Sequence, residues 1–397
     1  MDPIMYISGG QWDGLPGTDR LLAESLAVTG PVLWVDQPAS VFRFADVRNY
    51  AVGSLRGIPE VMTPHLSRLR LPAPPLFSSR LGLPVTEAIA RRCMDNAVKT
   101  AGGPVAAVVN ASPVVAFPGR GNGVRLLHLT DDWLAAADLI GFPSDYLKRC
   151  LERNIQAADV ITAVSAGLAA KMSDVSGRPV GVLPNGCRPP APGTNEHRRP
   201  VTVLVGQLNE RLDLEVLESL ADAGLSLLII GPRTDSNPTT RQRLDDFLGR
   251  DNVDWRGPLP PTDVQRLLQS ASVGITPYAD TEFNRSSFPL KTLEYLSSGL
   301  PVVATDLPSV RSLQCSALAV ASSREAFVDL VRAALQRRPD LGQREEMRRV
   351  AAANSWDVRA AGIRELCTQP VPERNTKVRY TKVRTTVQSV RGASHER

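Results

Sequence analysis

The sequence predicts an α/β protein with two parallel-sheet domains, and three observations carry that expectation. Short apolar runs of strand length alternate along most of the chain with segments of helical spacing. At 397 residues the chain is longer than one hydrophobic core usually organises. The alternation is interrupted once, by the proline-rich polar stretch 189–200, which reads as a linker between residues 1–188 and 201–353.

In order, Ile4–Ile7 reads as a first strand and leads into Ser8-Gly9-Gly10 and the helix Thr18–Val28. The loop lacks the third glycine of G-x-G-x-x-G, so the dinucleotide fingerprint is incomplete, although Asp36 ends the next strand, Val32–Val35. Gly9 and Gly10 permit close approach of a ligand to the backbone, or merely a tight turn. From Gln37 to Leu83 the pattern weakens into Arg- and Pro-rich loops around Val41, Phe42 and Phe44, with one strand at Leu66–Leu71. A basic, apolar surface of this kind suits an anionic membrane.

A helix at Val85–Ala101 and strands at Val105–Val109 and Val124–Leu129 follow, the last running into Thr130-Asp131-Asp132-Trp133. Acids at the C-terminal end of such a strand can meet a ligand, or one of them can cap the next helix. Tyr146–Ala157, Asp159–Val164, Ser165–Met172 and Val180–Leu183 continue the alternation to the Asn185-Gly186 turn.

The second half begins with the strand Val201–Val205, then Gly206 to Arg211, then the helix Leu212–Ala223. Arg211, at a βα turn, suits a phosphate or a surface pair with Asp213 or Glu215. Ser226–Ile230, Val253–Trp255 and Thr262–Ser270 lead to the most informative stretch, Val273–Pro308. There a buried strand, a loop, a helix over Phe288–Ser298 and a second strand, Pro301–Thr305, form one parallel unit. Ser287, Lys291 and Glu294 share a face of that helix near its start. Helix-start N–H groups and a lysine favour a diphosphate, and a glutamate one turn on can accept from a ribose diol. The same residues also read as an ordinary Lys–Glu pair in water. Helices at Arg324–Gln336, Gln343–Ala353 and Ser355 to about residue 366 close the pattern.

No run of apolar residues reaches transmembrane length and the N-terminus lacks signal-peptide character, so a cytoplasmic protein is expected, at most at the inner face of a membrane. Five scattered cysteines without C-x-x-C predict reduced thiols and no zinc site. Residues 371–397 hold seven basic and two acidic side chains, which equals the whole net charge of +5. They read as a disordered basic tail able to meet anionic lipid; nucleic acid is not an expected partner.

Pro289, Lys291, Glu294, Tyr295, Leu296, Gly299, Pro301, Val302 and Val303 resemble the nucleotide-sugar signature of GT-B glycosyltransferases, the group holding the family 4 and family 1 bacterial sugar transferases. The resemblance implies two Rossmann-like domains facing across a cleft, with the closing helix, 354–370, returning to the first. It implies donor contacts from Gly9, Gly10, Gly206, Arg211, Ser286, Ser287, Phe288, Pro289, Leu290, Lys291 and Glu294. Many members carry a further glutamate where this chain has Ser286, which leaves the donor-sugar contact open. His128 to Trp133 resembles an acidic turn of some members, so Asp131, Asp132 and His128 are the catalytic candidates.

The implied activity passes a sugar from a nucleotide diphosphate sugar, UDP-linked before GDP-linked, to a sugar or glycolipid acceptor with retention. It needs no cofactor and no metal, and it belongs to polysaccharide or glycoconjugate synthesis. A UDP-sugar 2-epimerase of the same fold and a non-catalytic donor-binding scaffold are the alternatives.

Overall fold

The computed structural model describes residues 2–14, 16–40, 47–75, 82–100, 105–120, 123–137, 141–188, 198–288 and 290–368. Pro289, Val41, Phe42, Phe44, most of the expected linker and the basic tail lie outside the described residues.

Two sheets organise these residues. The first contains β1 (Ile4–Ile7), β2 (Val32–Ser40), β3 (Glu60–Thr63), β4 (Leu66–Ala73), β5 (Ala107–Asn110), β6 (Val124–Leu129), β7 (Val160–Ala163) and β8 (Gly181–Val182). Their spatial order is β3-β4-β2-β1-β5-β6-β7-β8, and β3 alone runs antiparallel. The second sheet holds β9 (Thr202–Val205), β10 (Leu227–Ile230), β11 (Val253–Trp255), β12 (Val273–Thr276), β13 (Val302–Thr305) and β14 (Leu318–Ala321). It is wholly parallel, in the order β11-β10-β9-β12-β13-β14. The central strands β1, β5, β9, β10 and β12 are buried at every position because helices cover both faces. That is why they read as unbroken apolar runs.

Each sheet reverses its winding once. β1 lies between β2 and β5, and β9 lies between β10 and β12. The loops leaving these strands diverge there and open a crevice at the carboxyl edge, the usual ligand position in such sheets. Gly9 and Gly10 leave β1; Arg211 leaves β9 and Tyr278 leaves β12.

The sheets share core. Phe288 and Leu293 from the second half pack in one buried cluster with Met5, Val164 and Leu168 of the first. The helix Trp356–Thr368 lies in another cluster with Ile4, Tyr6, Trp34 and Leu183, and Arg364 Nη2 donates to the Leu26 carbonyl at 2.7 Å. Where the chain returns, Cys187 N–H donates to Asn354 O at 2.9 Å and Trp356 N–H to Cys187 O at 3.1 Å. A side chain at Gly186 would meet Trp356 N at 2.8 Å, so glycine is needed at this crossing.

The region between Gln37 and Leu83 is more ordered than its sequence predicts. β2 continues to Ser40, a helix spans Val47–Leu55, and β3 pairs with β4. β3 is an edge strand, largely exposed, so it carries no apolar alternation to read. The helix Pro238–Leu248 also escapes apolar periodicity, burying only Leu244 and Phe247. Its start signal was nonetheless present: Asn237 accepts from Thr239 N–H at 2.8 Å, with Pro238 at the first position. The five cysteines are free thiols. Among the described residues no helix is long and apolar enough to cross a membrane.

Candidate active site

Arg211 is built into the crevice of the second sheet. Its N–H donates to Asn209 Oδ1 at 3.1 Å, and its Nε donates to Asn284 Oδ1 at 3.1 Å. Nη2 reaches Ser287 Oγ at 3.5 Å. The guanidinium lies 4.7 Å from the Phe283 ring centroid and 5.3 Å from that of Tyr278. Asn284 is fully buried and is itself fixed, donating to the carbonyls of Arg211 at 2.9 Å and Ala279 at 2.8 Å. The surface-pair alternative does not form: Asp213 caps the helix Leu214–Asp222 and Glu215 pairs with Arg324. A weakly hydrated, preoriented guanidinium at a switch point is suited to a phosphate.

Asn284, Tyr278 and Phe283 were not singled out by sequence reasoning. Tyr278 lies in the loop after β12, and the helix that carries Asn284 and Phe283, Glu282–Ser286, is only one turn long, capped by Thr281, and too short for periodicity to register. The Thr281 cap was the available signal.

The next helix, Leu290–Ser297, carries Lys291 and Glu294, whose side chains bond at 2.7 Å and are each 26% exposed. Each group satisfies the other. The preceding backbone is clamped from several sides. Ser165 Oγ donates to Ser286 O, Ser309 Oγ to Ser287 O at 2.8 Å, and Asn185 Nδ2 to Phe288 O at 3.3 Å. The Ser286 and Ser287 side chains are nearly buried. Phe288 and Leu290 turn their side chains into clusters shared with the first domain. Their side chains are therefore taken up by packing, which leaves their backbone groups to meet a ligand.

Two glycine loops meet at the edge of this crevice. Gly231 has φ of 144°, and a side chain there would come within 1.8 Å of the Gly206 carbonyl. Gly206 itself faces open space on its would-be side-chain side.

From the first sheet, Asp131 follows β6 and is partly exposed. Burial pushes its carboxyl up to about 6; Arg211 opposes that rise, and Asp19 and Asp132 add to it. The acid of one domain and the guanidinium of the other thus act on each other across the cleft. Asp19 accepts from Tyr6 OH at 2.9 Å, Ser8 Oγ at 3.1 Å and Gly9 N–H at 2.7 Å. Gly10 N–H donates to Ser8 Oγ at 2.8 Å. The N–H groups of Gly9 and Gly10 are therefore engaged within the protein.

Two catalytic candidates take structural places instead. Asp132 is 2% exposed; Oδ1 accepts from Ala135 N–H at 3.1 Å and Oδ2 from Lys171 Nζ at 2.6 Å. It is a cap and an ion-pair partner. Lys171 Nζ also donates to Glu282 Oε1 at 2.6 Å, which ties the acidic turn to the second domain. His128 is 1% exposed within β6, with Nδ1 3.0 Å from Thr162 Oγ1, and burial holds its pKa down at about 4. A neutral imidazole packed between strands is a core residue, and Asp131 alone of the three reaches the cleft.

Residues 199–337 match the family model described as Glycosyl transferases group 1. The chain has the GT-B fold of the glycosyltransferases. Sucrose-phosphate synthase from Thermosynechococcus elongatus superimposes with a TM-score of 0.71 at 17% identity, covering 92% of this chain and 98% of that one. The Anabaena Alr3699/HepE structure in complex with UDP and glucose gives 0.62 at 13% identity, covering 93% and 100%. At such identities the likeness is one of fold. In sequence, the chain is 28% identical over 158 residues to TuaH of Bacillus subtilis (strain 168), named as a teichuronic acid biosynthesis glycosyltransferase. That match spans 38% of this chain and 39% of the TuaH protein. Within this frame Arg211, Lys291 and Glu294 belong to the second domain, and Asp131, which feels the charge of Arg211, belongs to the first.

Proposed function

We propose that this chain is a glycosyltransferase that moves a sugar from a nucleoside diphosphate sugar, UDP-linked before GDP-linked, to an acceptor hydroxyl. The single observation that carries the reading is Arg211, preorganised by Asn284 and facing Asp131 across the cleft. The group 1 match over the second domain supports it, as does the polysaccharide role in the name of the TuaH relative. The UDP bound in the HepE structure supports the choice of base.

In this reading Lys291 leaves Glu294 for the diphosphate, and Glu294 accepts from the ribose diol. As the anomeric C–O bond breaks, the nucleoside diphosphate departs with the electron pair. Arg211 and Lys291 stabilise that charge from fixed positions, the term expected to dominate the barrier. The acceptor oxygen forms the new bond and releases its proton. With retention by a front-face route the departing phosphate takes the proton, and Asp131 orients the hydroxyl. With inversion Asp131 takes it, a role suited to a carboxyl whose pKa has risen to about 6. Retention is the reading adopted from the family resemblance.

The test is nucleotide release from a panel of UDP- and GDP-sugars, with and without a bacterial envelope extract as acceptor. Acceptor-dependent release from one donor is expected. Interconversion of the donor sugar without release would mean the epimerase, and binding with neither would mean the scaffold.

A further inference from the structure

The one-turn helix Glu282–Ser286 of the second domain is held at both ends by the first. At its start, Glu282 Oε1 accepts from Lys171 Nζ at 2.6 Å, and the same ammonium donates to Asp132 Oδ2 at 2.6 Å. At its end, the Ser286 carbonyl accepts from Ser165 Oγ. Lys171 lies on the helix Ala166–Ser176, and Ser165 caps that helix, accepting from Leu168 N–H at 3.1 Å. Between the two attachments a methyl at Gly167 would touch the Arg285 carbonyl at 3.7 Å, so the helices lie against each other.

The middle of the short helix aims Arg211. Asn284 Oδ1 accepts from Arg211 Nε at 3.1 Å, and Asn284 Nδ2 donates to the Arg211 carbonyl at 2.9 Å. One buried amide thus grips both the side chain and the backbone of the arginine. Phe283, one residue earlier, sets its ring 4.7 Å from the guanidinium. A single helical turn has little internal bonding to hold it, so its attachments decide where Asn284 and Phe283 lie. The anchor behind Lys171 is firm, because Asp132 is nearly buried and also accepts from Ala135 N–H at 3.1 Å. Such firmness matters where charge is stabilised, since a misplacement of about 1 Å can cost on the order of 100-fold in rate.

We propose that Lys171 and Ser165 are positioning residues for the donor arginine: they fix the two ends of the short helix so that Asn284 points Arg211 at the diphosphate. The first domain, which carries Asp131, thereby sets the cation that faces that acid. That a diphosphate is what Arg211 meets rests on the transferase reading above; the aiming of Arg211 does not.

The experiment uses Glu282→Gln and, independently, Ser165→Gly in the full chain, glycine being nearly as good a helix cap as serine. Each variant loosens one end of the short helix and leaves Arg211 and Asn284 in place; urea denaturation checks that both fold. The arginine Nε–H spectrum of 15N-labelled protein reports the aiming directly, and the Arg211 signal is the one missing from Arg211→Lys. In both variants that signal should move and its hydrogen exchange should quicken at least threefold. Calorimetric affinity for UDP or GDP should weaken three- to fivefold, about the size of one exposed ion pair or one hydrogen bond. In an Arg211→Lys background neither change should weaken it further, which a merely structural loosening would not predict. An unchanged Arg211 signal in both folded variants overturns the proposal. In a chain that binds nucleotide, so does an unchanged affinity, or a loss that persists without Arg211. An altered signal in a chain that binds neither nucleotide would remove the transferase reading and leave the positioning standing.

Discussion

Substituting Asp131→Asn is expected to stabilise the protein at neutral pH while removing most of its activity. In the fold, burial raises this carboxyl from 3.8 to about 6. A folded pKa above the unfolded one means that the native state favours the protonated form. The ionised form therefore carries a destabilisation that is absent below the unfolded pKa. It builds as pH rises from about 4 to about 6 and is complete above that. At about 1.4 kcal/mol per tenfold change in the proton equilibrium, the full cost is about 3 kcal/mol. Asp131 is open to the cleft on one side, and solvent screening there reduces this to roughly half. Asparagine has nearly the same shape and no charge to desolvate. Urea denaturation of both proteins near pH 8 and near pH 4 measures the effect. The variant should lead by about 1.5 kcal/mol at the higher pH and by almost nothing at the lower. Nucleotide release should fall by a factor on the order of 100 or more. Equal stability at both pH values, or a lead confined to acid, would refute the assignment of a strained acid to this wall.

Four further substitutions read other parts of the structure. Lys171→Met removes the ionic partner of the nearly buried Asp132, whose remaining bond is to Ala135 N–H, and should cost about 3 kcal/mol in urea denaturation. Glu282→Gln, at the 72%-exposed partner of the same lysine, should change stability by less than about 0.5 kcal/mol. Arg211→Lys keeps the charge but loses the planar fork held by Asn284 and Ser287. Nucleotide affinity by calorimetry should fall about tenfold, with little change in melting temperature. Gly186→Ala forces a methyl within 2.8 Å of Trp356 N and 2.9 Å of its ring. Displacing the closing helix should lower the melting temperature and cost about 1–3 kcal/mol.

Much of the architecture was legible because buried parallel strands announce themselves as apolar runs. The unit from β12 to β13 was readable apart from the one-turn helix in its loop, down to the pairing of Lys291 with Glu294. Arg211 was readable from its place after β9. What escaped was whatever makes its contacts through tertiary structure. β3 is an exposed edge, and the helix bearing Asn284 is a single turn. No local pattern states that a buried asparagine aims an arginine 73 residues away in sequence. The adjacent acids show the same limit. Asp131 and Asp132 are equivalent in a motif, yet the fold exposes one to the charge of Arg211 and turns the other toward Lys171 and the Ala135 N–H. His128 looked chemical as a residue type and proved to be packing, because β6 is covered on both faces at that end.

The central claim is that the crevice after β9 holds a nucleoside diphosphate. Its most direct test is calorimetric titration of the protein with UDP and GDP, repeated on Lys291→Ala and Glu294→Ala. Saturable one-site binding of one nucleotide, UDP by this account, is expected, and it should weaken tenfold or more in each variant. Binding of neither nucleotide, or binding unchanged in both variants, would contradict the account.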